Sequence, residues 1–177
     1  MTDGYKWKIV MLGDFAVGKT SLVRRFVYDE FSDSYLTTIG VKVTKKDLSL
    51  EKREVSMLLW DIAGSDRFTA ISPEYLRGAS GGIIVADINR RDSVENIKSH
   101  IDMIHSMNSG AGIVIALNKV DLLKKGDDRE AYLKSGIFSE KNSGTPEVFF
   151  TSARSGENVN ELFKSLAELI LRGNPDE

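Results

Sequence analysis

Apolar and polar positions along this chain follow two different periods. The runs WKIVML (7–12), GIIVADI (82–88), GIVIALN (112–118) and EVFFTS (147–152) are continuously apolar, the pattern of strands buried on both faces of a sheet. Helical patterns lie between them. One helix opens with SLVRRF after the first run. A second carries Val94, Ile97, Ile101 and Ile104 on one stripe behind the cap candidate Asp92. A third carries Val159, Leu162, Phe163, Leu166 and Ile170 behind Asn158 and stops at Gly173 and Pro175. The segments 41–50 and 54–61 face each other across the charged turn EKR and predict a hairpin. Six strands with this spacing predict an α/β domain, a doubly wound, mostly parallel sheet with one antiparallel edge strand and helices on both faces. No repeat or low-complexity linker interrupts residues 1–177, so a single domain is expected.

Composition narrows the function classes. A chain of 177 residues can bury roughly 70% of its unfolded surface around one core. Its net charge of −2 argues against gripping nucleic acid or anionic lipid by overall field, and the pairs Arg24-Arg25, Arg90-Arg91 and Lys124-Lys125 are short enough to be solvated faces. With no cysteine, neither a disulfide, thiol catalysis nor a cysteine-held metal or lipid is expected. The apolar runs are too short to span a bilayer, and no signal peptide is visible, which makes the cytoplasm the expected location. His100 and His105, five residues apart in a helical segment, are expected at the surface.

The strongest chemical signal is GDFAVGKT (13–20), two glycines followed by Lys-Thr between a strand and a helix. Such a loop turns its backbone N–H groups inward, and the helix start adds its positive end, so phosphates are held without buried counter-charges. Lys19 would reach the β- and γ-phosphates, and Thr20 would ligate Mg²⁺. A glycine turn that merely caps a helix is the plain alternative. NKVD (118–121) follows the strand GIVIAL at the sheet edge where open α/β folds bind ligands. There a buried Asp121 could accept from guanine N1–H and N2–H₂, donors that adenine lacks. TSAR (151–154) follows the next strand, and the Ala153 N–H could meet guanine O6. Taken singly, Asn118, Asp121 and Ser152 could be ordinary loop-capping or turn residues.

With GDFAVGKT, TTIG (37–40), WDIAG (60–64), NKVD and TSAR in this order and spacing, the chain resembles the Ras superfamily of small GTPases, most closely its Rab branch. The resemblance covers nearly the whole length and implies a P-loop G domain that binds GTP/GDP with Mg²⁺ and switches effector proteins in signalling or vesicle trafficking. It implies nucleotide contacts from Ala16, Val17, Gly18, Lys19, Thr20, Ser21, Phe31, Tyr35, Thr38, Gly64, Asn118, Lys119, Asp121, Ser152, Ala153 and Arg154. Thr20, Thr38 and Asp61 would serve the metal, Asp61 through a water. Phe31 would cover the guanine, Tyr35 would close over the phosphates, and the Gly64 N–H would touch the γ-phosphate. Without the resemblance, Phe31 and Tyr35 read as loop anchors on the core, and Thr38 as a residue leading into a strand. Effectors and regulators would meet the surface near Val43, Trp60 and Tyr75, where the Rab aromatic triad keeps only two of its members; Trp60 and Tyr75 read equally as core residues under a helix. A monomer without nucleic-acid partners is expected.

Three departures stand against that pattern. The glutamine that usually orients the attacking water is Ser65, followed by Asp66. A serine hydroxyl falls short of that reach by roughly 2.5 Å, so Ser65, with Lys19 the other catalytic candidate, is a weak substitute. Phe15 stands where the family has a very small residue, in the path of an activator's arginine. The end LRGNPDE carries no prenylation cysteine, so any membrane association is expected to be indirect. Slow unaided GTP hydrolysis is the expected consequence, and a nucleotide-locked binding module without useful turnover is the alternative.

Overall fold

The computed structural model describes residues 5–34, 37–50, 53–64, 71–124, 126–127, 129–134 and 145–173. Six strands, β1 (Tyr5–Leu12), β2 (Val41–Leu50), β3 (Arg53–Ile62), β4 (Gly81–Asp87), β5 (Gly112–Asn118) and β6 (Glu147–Phe150), form one sheet in the order β2-β3-β1-β4-β5-β6. β2 and β3 pair antiparallel, with Val41 opposite Ile62 and Leu50 opposite Arg53. Every other neighbouring pair is parallel. The helices are α1 (Lys19–Tyr28), α2 (Arg91–Glu95), α3 (Ile97–Met107), α4 (Arg129–Lys134) and α5 (Val159–Gly173).

Because successive strand residues point to opposite faces, each central strand feeds two cores. Ile9, Met11, Ile83, Val85, Val114 and Ala116 meet α1 and α5 through Leu22, Phe26, Leu162, Phe163 and Leu166. Val10, Leu12, Ile84, Ala86, Ile113 and Ile115 meet α2 and α3 through Val94, Ile97 and Ile104 on the other side. This two-sided demand explains the unbroken apolar runs, since all of β4 is buried. β1 lies between β3 and β4, where the chain leaves the sheet in opposite directions, so the loop after β1 opens at the carboxyl edge over a crevice.

Several expectations change in detail. EVFFTS was expected to be buried on both faces, but β6 is a four-residue edge strand whose Val148, Phe149 and Phe150 are half-buried, because only β5 covers its flank. The helix expected behind Asp92 divides at Asn96, and Asp92 lies in its first turn; the N-cap is Arg90, with no side-chain cap. Ser93 does the local bonding instead, its hydroxyl accepting from the Asp87 N–H and contacting the Asp87 and Arg90 carbonyls. Asn158 precedes α5 with left-handed backbone, φ 54°, and its amide donates to the Phe150 carbonyl. His100 is buried at 4% exposure, contrary to the surface expectation, whereas His105 is exposed. Residues 51 and 52 of the EKR turn, and Pro175, lie outside the described residues. Among the described residues no helix is long and apolar enough to cross a membrane.

Phe163 is fully buried, and its ring stacks on Phe26 at 3.9 Å with 4° between planes, joining α5 to α1. Phe163→Ala is expected to lower the unfolding free energy by about 3 to 5 kcal/mol, read from denaturant midpoints at constant slope.

Candidate functional site

The loop between β1 and α1 borders an open cleft with Phe15, Ala16 and Gly18. Gly18 holds the N-cap of α1 at φ 102°, and a Cβ there would sit 2.3 Å from Asn118 Nδ2. Ala16 also takes left-handed backbone, φ 62°, a conformation costing a non-glycine residue roughly 1 to 2 kcal/mol. Two side chains from the β5 edge hold it there. Lys119 Nζ donates to the Ala16 carbonyl at 2.7 Å, and Asn118 Nδ2 donates to the Val17 carbonyl at 3.0 Å. Lys19 Nζ donates to the carbonyls of Gly13 and Asp14, both at 2.9 Å, and is 6% exposed. Burial pushes its ammonium down to about 8; Asp61 and Asp14 oppose that shift, and Arg90 adds to it. Phosphate oxygens in the loop would supply the negative charge that this cation lacks.

In front of Lys19 the end of β3 meets α1 and the segment before β2. Thr20 Oγ1 donates to Asp61 Oδ2 at 2.5 Å, the Thr38 hydroxyl lies 3.3 Å from the same oxygen, and the two hydroxyls are 2.7 Å apart. Asp61 is 1% exposed, its Oδ1 is buried without a hydrogen-bond partner among the described residues, and burial raises its carboxyl above the ordinary range. A hard divalent cation suits such a set, two hydroxyls and a carboxylate with an unspent oxygen. Gly64, two residues beyond β3, packs so closely on the loop that a Cβ would lie 2.6 Å from the Phe15 Cα. The Ala63 N–H donates to the Gly40 carbonyl at 2.9 Å, so the stretches carrying Thr38 and Gly64 are tied together.

The other end of the cleft is built on Asn118, 1% exposed, whose Oδ1 accepts from the Thr151 hydroxyl at 3.2 Å and the Ala153 N–H at 3.3 Å. The Ala153 N–H, expected to face guanine O6, is thus engaged with Asn118 in this structure. Asp121 is exposed rather than buried as expected, because it sits on a short 3₁₀ turn beyond the strand end. Its Oδ1 accepts from the Ser152 hydroxyl at 2.6 Å, which fixes its direction. Lys119, at φ 67°, pairs with Asp87 at 2.8 Å.

These parts line one cleft of about 310 Å³. Ala16, Gly18, Lys19, Thr20, Ser21, Phe31, Thr38, Gly64, Asn118, Lys119, Asp121, Ala153 and Arg154 all border it, and Val17 and Ser152 sit directly behind. Phe31 also packs against the α1–α5 core, so anchoring and lining coexist. Thr38 precedes β2 by three residues. Phe15 lines the cleft with 44% of its surface exposed. Tyr35, Ser65 and Asp66 lie outside the described residues. Val43 and Trp60 are register partners on β2 and β3; Val43 is 48% exposed, Trp60 half-buried and Tyr75 37% exposed. Tyr75 is therefore not a core residue, and Trp60 is one only in part.

Other residues hold the site without a motif to announce them. Arg25 of α1 donates to the Ala153 carbonyl at 2.8 Å and the Arg154 carbonyl at 2.7 Å, bracing the TSAR loop across 128 and 129 residues. Asp87, at the end of the buried strand β4, was not singled out from the sequence, and its pairing with Lys119 joins two elements that no motif connects. Arg90, Asn96 and His100 approach Asp14 and Phe15 from behind the loop. The helix periodicity gave no hint of that.

A parallel sheet with an antiparallel edge pair, a phosphate loop after β1, a hydroxyl-carboxylate cluster at the end of β3 and an Asn-Lys-Asp edge after β5 define a P-loop G domain. A model of the Ras family matches residues 8–172, and the chain belongs to that family. It is, at that level, a small GTPase, a guanine-nucleotide-binding switch of the kind that pairs nucleotide with Mg²⁺ and works through effectors and regulators. Gly18→Ala would force both a left-handed alanine and a clash with Asn118. The nucleotide-free protein should lose on the order of 2 to 4 kcal/mol of stability in a denaturant titration.

Proposed function

We propose that the chain binds GTP and GDP with Mg²⁺ and hydrolyses GTP to GDP and phosphate slowly when unaided. The observation that carries this reading is the meeting of Thr20, Thr38 and Asp61 beside the buried Lys19. Three elements separated by up to 41 residues converge there on a spare carboxylate oxygen and an unneutralised ammonium. Lys19 holds the β- and γ-phosphate oxygens, helped by the amides of Ala16, Val17, Gly18, Thr20 and Ser21. Thr20, Thr38 and Asp61 would hold Mg²⁺, and the ion would supply positive charge to those oxygens when bound. Thr38 and Gly64 lean on the γ-phosphate, and its loss frees both stretches, which is the switching event. Asp121, aimed by Ser152, reads guanine; Asn118 and Lys119 brace the loop that holds the phosphates. Phe31 flanks the base, and Tyr35 closes over the phosphates.

The slow step follows from Ser65. Its hydroxyl is too short to hold the attacking water as a glutamine would, and losing one such group costs about 1.4 to 2.8 kcal/mol, a tenfold to hundredfold slower step. Phe15, exposed in the cleft, obstructs an arginine offered from outside and supports the second reading, a nucleotide-locked binding module. The readable surface is Val43, Trp60 and Tyr75, whose Val43 narrows a Rab-like aromatic patch. The chain acts as a cytoplasmic monomer.

Denaturing the purified protein should release guanine nucleotide; adenine nucleotide, or none from folded protein, overturns the proposal. A single-turnover time course with Mg²⁺ separates the two readings, slow conversion supporting the switch and unchanging nucleotide the locked module. Ser65→Gln should raise the rate tenfold to hundredfold; an unchanged or lower rate removes the missing-group account. Asp121→Asn should weaken GTP binding by about 100-fold or more and favour xanthine nucleotide, measured by competition.

A further inference from the structure

Asp14, the second residue of the phosphate loop, is held from behind by α3. Asn96 Nδ2 donates to Asp14 Oδ2 at 2.8 Å, and His100 Nε2 lies 3.0 Å from Asp14 Oδ1. A carboxylate only accepts, so Nε2 donates to it; Nδ1 is buried without a hydrogen-bond partner among the described residues. The two side chains are 5% and 13% exposed, so the contact is shielded from water. Arg90 Nη1 closes the same grip one residue on, donating to the Phe15 carbonyl at 2.9 Å. Packing does not demand any of this. Val94, Ile97 and Ile104 already seat α2 and α3 on the sheet, and an apolar residue at 100 would fill space without desolvating two ring nitrogens.

The grip leads to the catalytic centre in one further contact. The Asp14 carbonyl accepts from Lys19 Nζ at 2.9 Å, so the side chain of Asp14 is held by α3 while its backbone aims the lysine. We propose that His100 and Asn96 are positioning residues for Lys19, acting through Asp14, and that they set the preference of the site for a nucleoside triphosphate over a diphosphate. This rests on the guanine-nucleotide reading above. Lys19 serves the β-phosphate of either ligand, and a diphosphate asks no more of it. The γ-phosphate relies on Lys19 and on two stretches that it must itself hold, so a misplaced ammonium penalises the triphosphate more.

The test compares dissociation of fluorescent GDP and a fluorescent non-hydrolysable GTP analogue from the full chain with Mg²⁺, for wild type, His100→Phe and His100→Gln. Phe keeps a ring and removes the donor; Gln restores an amide donor near the Nε2 position. His100→Phe should release the triphosphate about tenfold faster and the diphosphate no more than about threefold faster, with His100→Gln close to wild type. Equal acceleration of both nucleotides without rescue by Gln, or no acceleration of either, overturns the inference. Should His100→Phe not fold, the exposed Asn96→Ala decides: a selective triphosphate effect of about threefold supports the inference, and equal effects refute it. Wild type that retains no guanine nucleotide overturns the functional reading itself, whereas retention with unselective variants overturns this inference alone.

Discussion

Lys19 and Asp61 each lie almost wholly removed from water within reach of the other's charge, and among the described residues neither has a direct ion pair. Burying opposite charges without contact is costly, and backbone carbonyls and hydroxyls relieve the cost only partly. The rest of the site follows from that constraint. The loop bends left-handed at Ala16, Asn118 and Lys119 pin the bend, and Thr20 and Thr38 turn their hydroxyls to Asp61. A phosphate and a divalent cation complete the charge pattern. A ligand carrying both would stabilise the folded chain by mass action.

The sheet supplies the rigid frame. Four parallel pairings place the ends of β1, β3 and β5 within one cleft, and the two cores lock strand positions from both sides. The stretches carrying Thr38 and Gly64 lie beyond strand ends, where few apolar contacts oppose movement. The Gly40–Ala63 bond couples them, so ordering one biases the other. Stability and switching thus occupy different parts of one sheet.

Legibility of the chain divides along the range of the interactions. Strands were readable because continuous apolar runs are local; β5 and β2 match their expected bounds, and β3 extends one residue further at each end. The phosphate loop was readable because its glycine spacing answers a backbone requirement within eight residues. Asp121 was located correctly but expected to be buried, since a sequence run does not show how far a turn carries a side chain from the strand end. The reading of Trp60 and Tyr75 stayed divided between core and surface, and the structure separates them: Trp60 packs in part against the core, whereas Tyr75 is exposed.

His100 shows what distance in sequence conceals. It lies 86 residues from Asp14, and nothing in a helical stripe distinguishes a histidine facing water from one facing a buried carboxylate. Arg25 beneath the TSAR loop and Lys119 against Asp87 are concealed in the same way. The sequence by itself determined the strand order of polarity, the phosphate loop and the residues offered to the nucleotide, because each is written within a few neighbouring positions. Only the tertiary structure decided which side chains aim Lys19, Asp121 and the loop backbone, because those bonds form between elements that meet after the sheet has closed.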